Sequence, residues 1–223
     1  MTEAPPKSEL FGSPQAAALY SAAAKGDIER SRQLMAQGVS LNSANAKEQT
    51  LLKVAMLKGD RKAFDNLLTL GADPEYLGNA RDTPMHLAAV LEDPYWLKTL
   101  LARGTSTEVL NALGETPLFR ALGPGTDANV KLLLDAGANI HARNRSKETL
   151  LHKAASIRAY ADVVRFIELG VDPTAKNDIG LTFQPSFFRT PERILNDKAK
   201  DARAKVRAWL RAHNIPVEDS GQR

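Results

Sequence analysis

The sequence predicts an all-α repeat solenoid, and three recurring residues carry that prediction. Thr50, Thr83, Thr116, Thr149 and Thr182 are spaced by 33, and so are Gly38, Gly71, Gly104, Gly137 and Gly170. Asn45, Asn111, Asn144 and Asn177 keep the same step, with Gly78 in the missing slot. Three independent registers with one period mark a stack of similar helix-turn-helix units, each of which buries its apolar face against its neighbours.

Each recurring residue has a local task. Thr precedes the first helix of a unit, where its hydroxyl can accept from a free backbone N–H. Pro84 and Pro117 then stand at the first helical position, where a missing N–H costs nothing. The pairs Gly26-Asp27 and Gly59-Asp60 end one helix and cap the next, and Asp93-Pro94 does the same by a cap and a first-position proline. Apolar pairs close the second helix onto the stack: Leu34/Met35, Leu67/Leu68, Leu100/Leu101, Leu133/Leu134 and Phe166/Ile167. Each such side chain contributes about 1.5–3 kcal/mol when buried. The following Gly stops the second helix in the left-handed region. Asn then opens a finger-like connection, where it tolerates the same backbone region and can form an Asx turn.

The segments at the helix starts read TLLKVA, TPMHLA, TPLFRA and TLLHKA, at 50, 83, 116 and 149. Their partners read LLTLGAD, LLARGT, LLLDAGAN and FIELGVD. On these residues, over about 15–215, the chain resembles the ankyrin-repeat family. The resemblance implies about six helix pairs with β-hairpin-like fingers, at 14–46, 47–79, 80–112, 113–145, 146–178 and 179–215. It also implies that His86 and His152 hydrogen-bond between adjacent units. Residues 1–13 read as a flexible tail and 216–223 as a second one.

Two places break the period. GPGTD at 123–127 stands where neighbouring units continue a helix. TFQPSFF at 182–188 reads as no helix, whereas Thr190-Pro191 reads as a helix start. The expectation is an eight-residue finger insertion over 181–188. Its Phe183, Phe187 and Phe188 either fold over the end of the stack or form an exposed anchor loop.

The 223 residues are 43% hydrophobic and 25% charged, enough for a buried core. No cysteine is present, which excludes disulfides, cysteine-based zinc sites and thiol nucleophiles. No apolar run reaches the ~18 residues of a membrane span. The start, MTEAPPKSELFGSP, is polar and carries no export signal as written. The chain reads as cytoplasmic on that basis, and as periplasmic if a leader has been removed. His141 and His213 stand alone, and no phosphate loop, GxSxG or HExxH is found. No catalytic residue, metal ligand or cofactor is expected. Residues 189–211 hold eight basic and three acidic residues, a net +5, read as a solvated cap face or a contact for an acidic partner. Nucleic acid is disfavoured, because the cap helix carries no base-reading pattern.

The finger tips and exposed helix ends are the expected binding face, since solenoids bind along that side. By register these are Ala46, Lys47, Gln49, Asn79, Ala80, Asp82, Ala112, Leu113, Glu115, Arg145, Ser146 and Glu148. Leu57, Lys58, Val90, Leu91, Ser156 and Ile157 join them from the helices, with Tyr76 and Trp96 near. The resemblance implies a non-catalytic protein-binding module, monomeric when free. Its Ala/Arg-rich, bacterial-looking composition resembles that of inhibitor or immunity proteins that block a toxin or cell-wall hydrolase. The alternative is a cytosolic adaptor that binds without inhibiting. A small-molecule binder or enzyme would need a deep polar pocket around the GPGTD turn.

Overall fold

The computed structural model describes residues 10–79 and 81–219. The expected tail over 1–9, the finger residue Ala80 and the end at 220–223 lie outside the described residues. Six helix pairs follow one another. They are α1 (Pro14–Lys25) with α2 (Ile28–Ala36), α3 (Leu51–Leu57) with α4 (Arg61–Thr69), and α5 (Pro84–Val90) with α6 (Tyr95–Ala102). Next come α7 (Pro117–Arg120) with α8 (Asp127–Asp135), α9 (Leu150–Ser156) with α10 (Tyr160–Glu168), and α11 (Gln184–Phe188) with α12 (Asp197–Ala212). The chain forms two compact units, Met1–Ala88 with Tyr95–Thr105, and Ala89–Pro94 with Ser106–Arg223.

In the first unit, Leu19, Ala23, Leu51, Leu52, Phe64, Leu67 and Leu97 are fully buried. Trp96 is also buried and meets Phe64 edge-on at 5.1 Å. It is therefore core, not part of a binding face. The caps work as their sequence foretells: Asp27 accepts from the Arg30 N–H at 2.9 Å and Asp60 from the Ala63 N–H at 2.9 Å. Gly26 closes α1 at φ 82°, in the left-handed region. Residues 10–13 are not loose. Phe11 is buried against Tyr20 at 4.6 Å, and Asn45 Nδ2 donates to the Leu10 carbonyl at 2.9 Å.

In the second unit the core is Leu118, Phe119, Leu133, Leu150, Leu151, Val163, Phe166, Val206 and Leu210. Thr149 and His152 form a capping box at the start of α9. His152 Nδ1 accepts from the Thr149 N–H, so its Nε2–H donates to the Leu181 carbonyl, at 3.0 Å, in the next finger. His86 is fully buried with Nδ1 at 2.7 Å from Thr83 Oγ1.

The fingers are closed by asparagine. Asn45, Asn111, Asn144 and Asn177 each accept at Oδ1 from the N–H four residues on, at 2.9–3.1 Å. The Asx turn is as expected, but the left-handed residue is not the asparagine. It stands three positions later, at Glu48, Gly114, Lys147 and Gly180, with φ between 58° and 80°.

The last repeat corrects the sequence reading. TFQPSFF does contain a first helix, α11, in register with the others, with Pro185 in its first turn. There is no finger insertion at 181–188. The extra residues fall between the helices: 189–196 join α11 to α12, where 157–159 join α9 to α10. Thr190-Pro191 starts no α-helix and leads into a 3₁₀ turn at Glu192–Ile194. The 216–219 segment packs back on this repeat. Gln184 Nε2 donates to the Pro216 carbonyl at 3.1 Å, and Thr182 donates to Glu218 at 2.9 Å.

Candidate functional site

In the first unit, Leu57 ends α3 with 52% of its surface exposed, and Lys58 beside it is exposed. Tyr76 and Asn79 are exposed on the second finger and line one cleft with Asn42, Asn45 and Glu48, of about 430 Å³. Asp82 is half-buried, and its carbonyl accepts from Lys53 Nζ. Burial holds the Lys53 ammonium below its ordinary pKa, against the opposing pull of Asp82 and Glu48.

In the second unit, Val90 at the end of α5 is 38% exposed and Ile157 beyond α9 is 46% exposed. Leu91 and Leu113 are half-buried, and each uses its carbonyl inside the fold. Leu91 accepts from Asn129 Nδ2 at 2.6 Å and Leu113 from the Arg145 N–H at 3.0 Å. Arg145 is exposed, with Nη1 on the Ala112 carbonyl at 2.7 Å. Glu148 is half-buried and braces its finger by accepting from Asn144 Nδ2 at 2.8 Å. Glu115 is not a surface group. It is buried and paired with Lys153 at 2.8 Å.

Phe183, Phe187 and Phe188 are also buried. Phe187 touches Phe183 and Phe188 with centroids at 5.8 and 5.0 Å, so the chain builds a ring cluster and not an exposed aromatic loop. The Arg203 guanidinium lies inside this cluster, donating to the carbonyls of Thr190 and Phe187 at 2.7 and 2.8 Å. It thereby ties the long linker to α12. The basic count of the last repeat thus overstates its surface charge. Arg203 is buried, and Arg207 pairs with Glu192 and Asp219 at 3.2 and 2.6 Å.

A cavity of about 780 Å³ lies in the second unit beside the GPGTD turn, and its lining is mainly apolar where a deep polar pocket was the expectation for a small-molecule binder. Gly123, Pro124 and Asp127, the turn before α10 and the linker and first turns of α12 line it. Asp162 lies in its wall. Burial raises the pKa of this carboxyl, opposed by the Gly123 N–H at 2.9 Å and by Arg165 at 2.9 Å.

Residues 85–177 match the family model of ankyrin repeats in three copies. The fold is similar to the ankyrin repeat domain of human ASB11, at 21% identity and TM-score 0.63, over 90% of this chain and 85% of that one. Residues 85–177 are ankyrin repeats, and the chain has the ankyrin-repeat fold. A second solved structure, the ankyrin repeat protein EF0377, is 22% identical with a TM-score of 0.64, over 87% of this chain and 96% of that one. A search of curated protein sequences found no match. Ankyrin repeats are protein-binding modules and typically non-catalytic. Among the described residues, no helix of this chain is long and apolar enough to cross a membrane.

Proposed function

We propose that this ankyrin array inhibits a partner enzyme by occlusion, as a self-protection protein does against a toxin or cell-wall hydrolase. The supporting observation is the exposure of Leu57, Val90 and Ile157 at the ends of first helices, where solvent favours polar residues. Leu57 and Val90 share one register and Ile157 stands one position beyond it; such exposed apolar groups are what a protein partner buries. Tyr76 adds an aromatic anchor on the first unit's cleft.

The test is capture of a partner by the purified chain, followed by assay of that partner's activity in the complex. Leu57→Asp probes the first unit and Ile157→Asp the second, each checked for an unchanged melting temperature. Loss of a hot-spot contact weakens binding by roughly tenfold or more. A captured enzyme that keeps full activity in the complex removes the inhibitor reading and leaves an adaptor. Capture untouched by both variants removes these helix ends as the binding surface.

A further inference from the structure

The two breaks in the repeat period meet at one place. The Gly123–Asp127 turn and the 189–196 linker lie far apart in sequence, yet both line the 780 Å³ cavity. Elsewhere the turn between helices is short and tight. Here α7 ends early and the linker is long, and the space between them is left open.

The lining is mainly apolar: Pro124, Ala161, Val164, Leu195, Ala199 and Ala202. Ile194 stands in it with 63% of its surface exposed. A concave, mostly apolar site of about 300–1,000 Å³ with a few polar groups is the form a small-molecule site takes.

The charges decide the ligand. Asp127 and Asp162 are both held by Arg165, and Asp201 is held by Lys205 at 2.9 Å. Each of the three lining carboxylates thus has a cationic partner, with Arg165 shared between two of them. Two lining cations, Arg158 and Lys198, have no ion pair among the described residues. Arg158, Lys198 and Lys205 in the lining, with Arg165 behind Asp127 and Asp162, set four cations against three carboxylates, a surplus of one positive charge.

Arg158 carries a second signal. Its register position is Gly26, Gly59 and Gly125 in other repeats, all with positive φ. Arg158 takes the same left-handed backbone, with φ 61°. A side chain there costs about 1–2 kcal/mol. The fold bears that strain, as it does at Glu48 and Lys147, and here it sets a long cation at the cavity wall.

The geometry points to a binding site for a small amphipathic anion, an organic acid with an extended apolar body. The body fills the cavity between α10 and α12, and the acid group faces Arg158 and Lys198. This inference stands apart from the proposed protein-binding face, and either can fail alone.

The probe is decanoate, titrated calorimetrically into the full chain at low salt and below its aggregation threshold. Decyltrimethylammonium is the control of opposite charge. Saturable binding of one decanoate, with the ammonium at least about tenfold weaker, is the expected result. Lys198→Glu should weaken decanoate by about tenfold, and so should Arg158→Asn, which keeps a residue that tolerates left-handed backbone. Lys131→Glu, exposed on α8 and outside the lining, should change nothing. Melting temperatures separate lost binding from lost fold. No saturable binding, equal binding of both amphiphiles, or decanoate binding unmoved in Lys198→Glu and Arg158→Asn each overturns the proposal.

Discussion

Lys53 makes with Asp82 the hydrogen bond that His152 makes with Leu181 in a later repeat. Both side chains stand three residues after the capping threonine, and both donate to the carbonyl 29 positions ahead, in the next finger. A lysine thus replaces the histidine of the repeat signature while keeping its task. The substitution buries an ammonium, and burial lowers its pKa.

If the shared task is the donor, Lys53→His should keep the fold with a loss under about 1 kcal/mol. Lys53→Met leaves the Asp82 carbonyl without this donor and should cost about 1–3 kcal/mol. Urea unfolding followed by circular dichroism reads both. A histidine variant as unstable as the methionine one would show that the two positions are not equivalent.

The period made the helix pairs, caps and fingers legible, because each rests on residues close in sequence. Thr, Gly and Asn mark backbone positions that would be costly without them. The last repeat was misread for the same reason. Pro185 among three phenylalanines looks unlike a helix start, and α11 is held by contacts with α12 and the 216–219 segment. The site was less legible. Register places Glu115 on the binding face, but Lys153 in the next repeat draws its carboxylate inward. The GPGTD turn pointed to the cavity's place, but its size and apolar lining were not legible, because three stretches far apart in sequence build it.

The Glu115–Lys153 pair should behave as a buried ion pair. The Glu115 side chain is 3% exposed, so removing the lysine strands a charge. Lys153→Met should cost about 3–5 kcal/mol, and Glu115→Gln in the same chain should return part of it. A double-mutant cycle in urea measures the coupling. Additive losses from the two changes would show that the pair contributes no coupling.

Phe187 should be a stability residue. Its ring is buried among Phe183, Phe188 and Tyr160. Phe187→Ala should cost about 3–5 kcal/mol through lost burial and the cavity left behind. Thermal unfolding checks this, and a wild-type melting temperature would reopen the exposed-loop reading.

Alkaline pH should weaken the first unit through Tyr20. Burial, then the hydrogen bond to Asp60 at 3.0 Å, holds the Tyr20 hydroxyl well above its ordinary pKa of 10. In the unfolded chain the phenol ionises near pH 10, while the folded state keeps its proton. The stabilisation is therefore complete below pH 10 and is lost as pH climbs toward the folded value. Tyr20→Phe should flatten this alkaline limb while lowering stability at neutral pH by about 1 kcal/mol. An unchanged slope above pH 10 in the variant would assign the effect to Tyr95, which burial also raises.

The finger glycines should separate backbone strain from crowding. Gly114 and Gly180 share one register and similar φ, 72° and 80°. A Cβ at Gly180 meets open space, whereas one at Gly114 would come within 2.9 Å of Arg145 Cγ and 3.1 Å of the Arg145 backbone nitrogen. Gly180→Ala should therefore cost only the left-handed strain, about 1–2 kcal/mol. Gly114→Ala must also displace Arg145, whose N–H bonds the Leu113 carbonyl and whose Nη1 bonds that of Ala112. It should cost at least about 1 kcal/mol more. Arg145→Ala leaves the backbone contact in place, so the excess should shrink in the double variant without vanishing. Equal losses at the two glycines would mean that the fingers yield as easily as open loops.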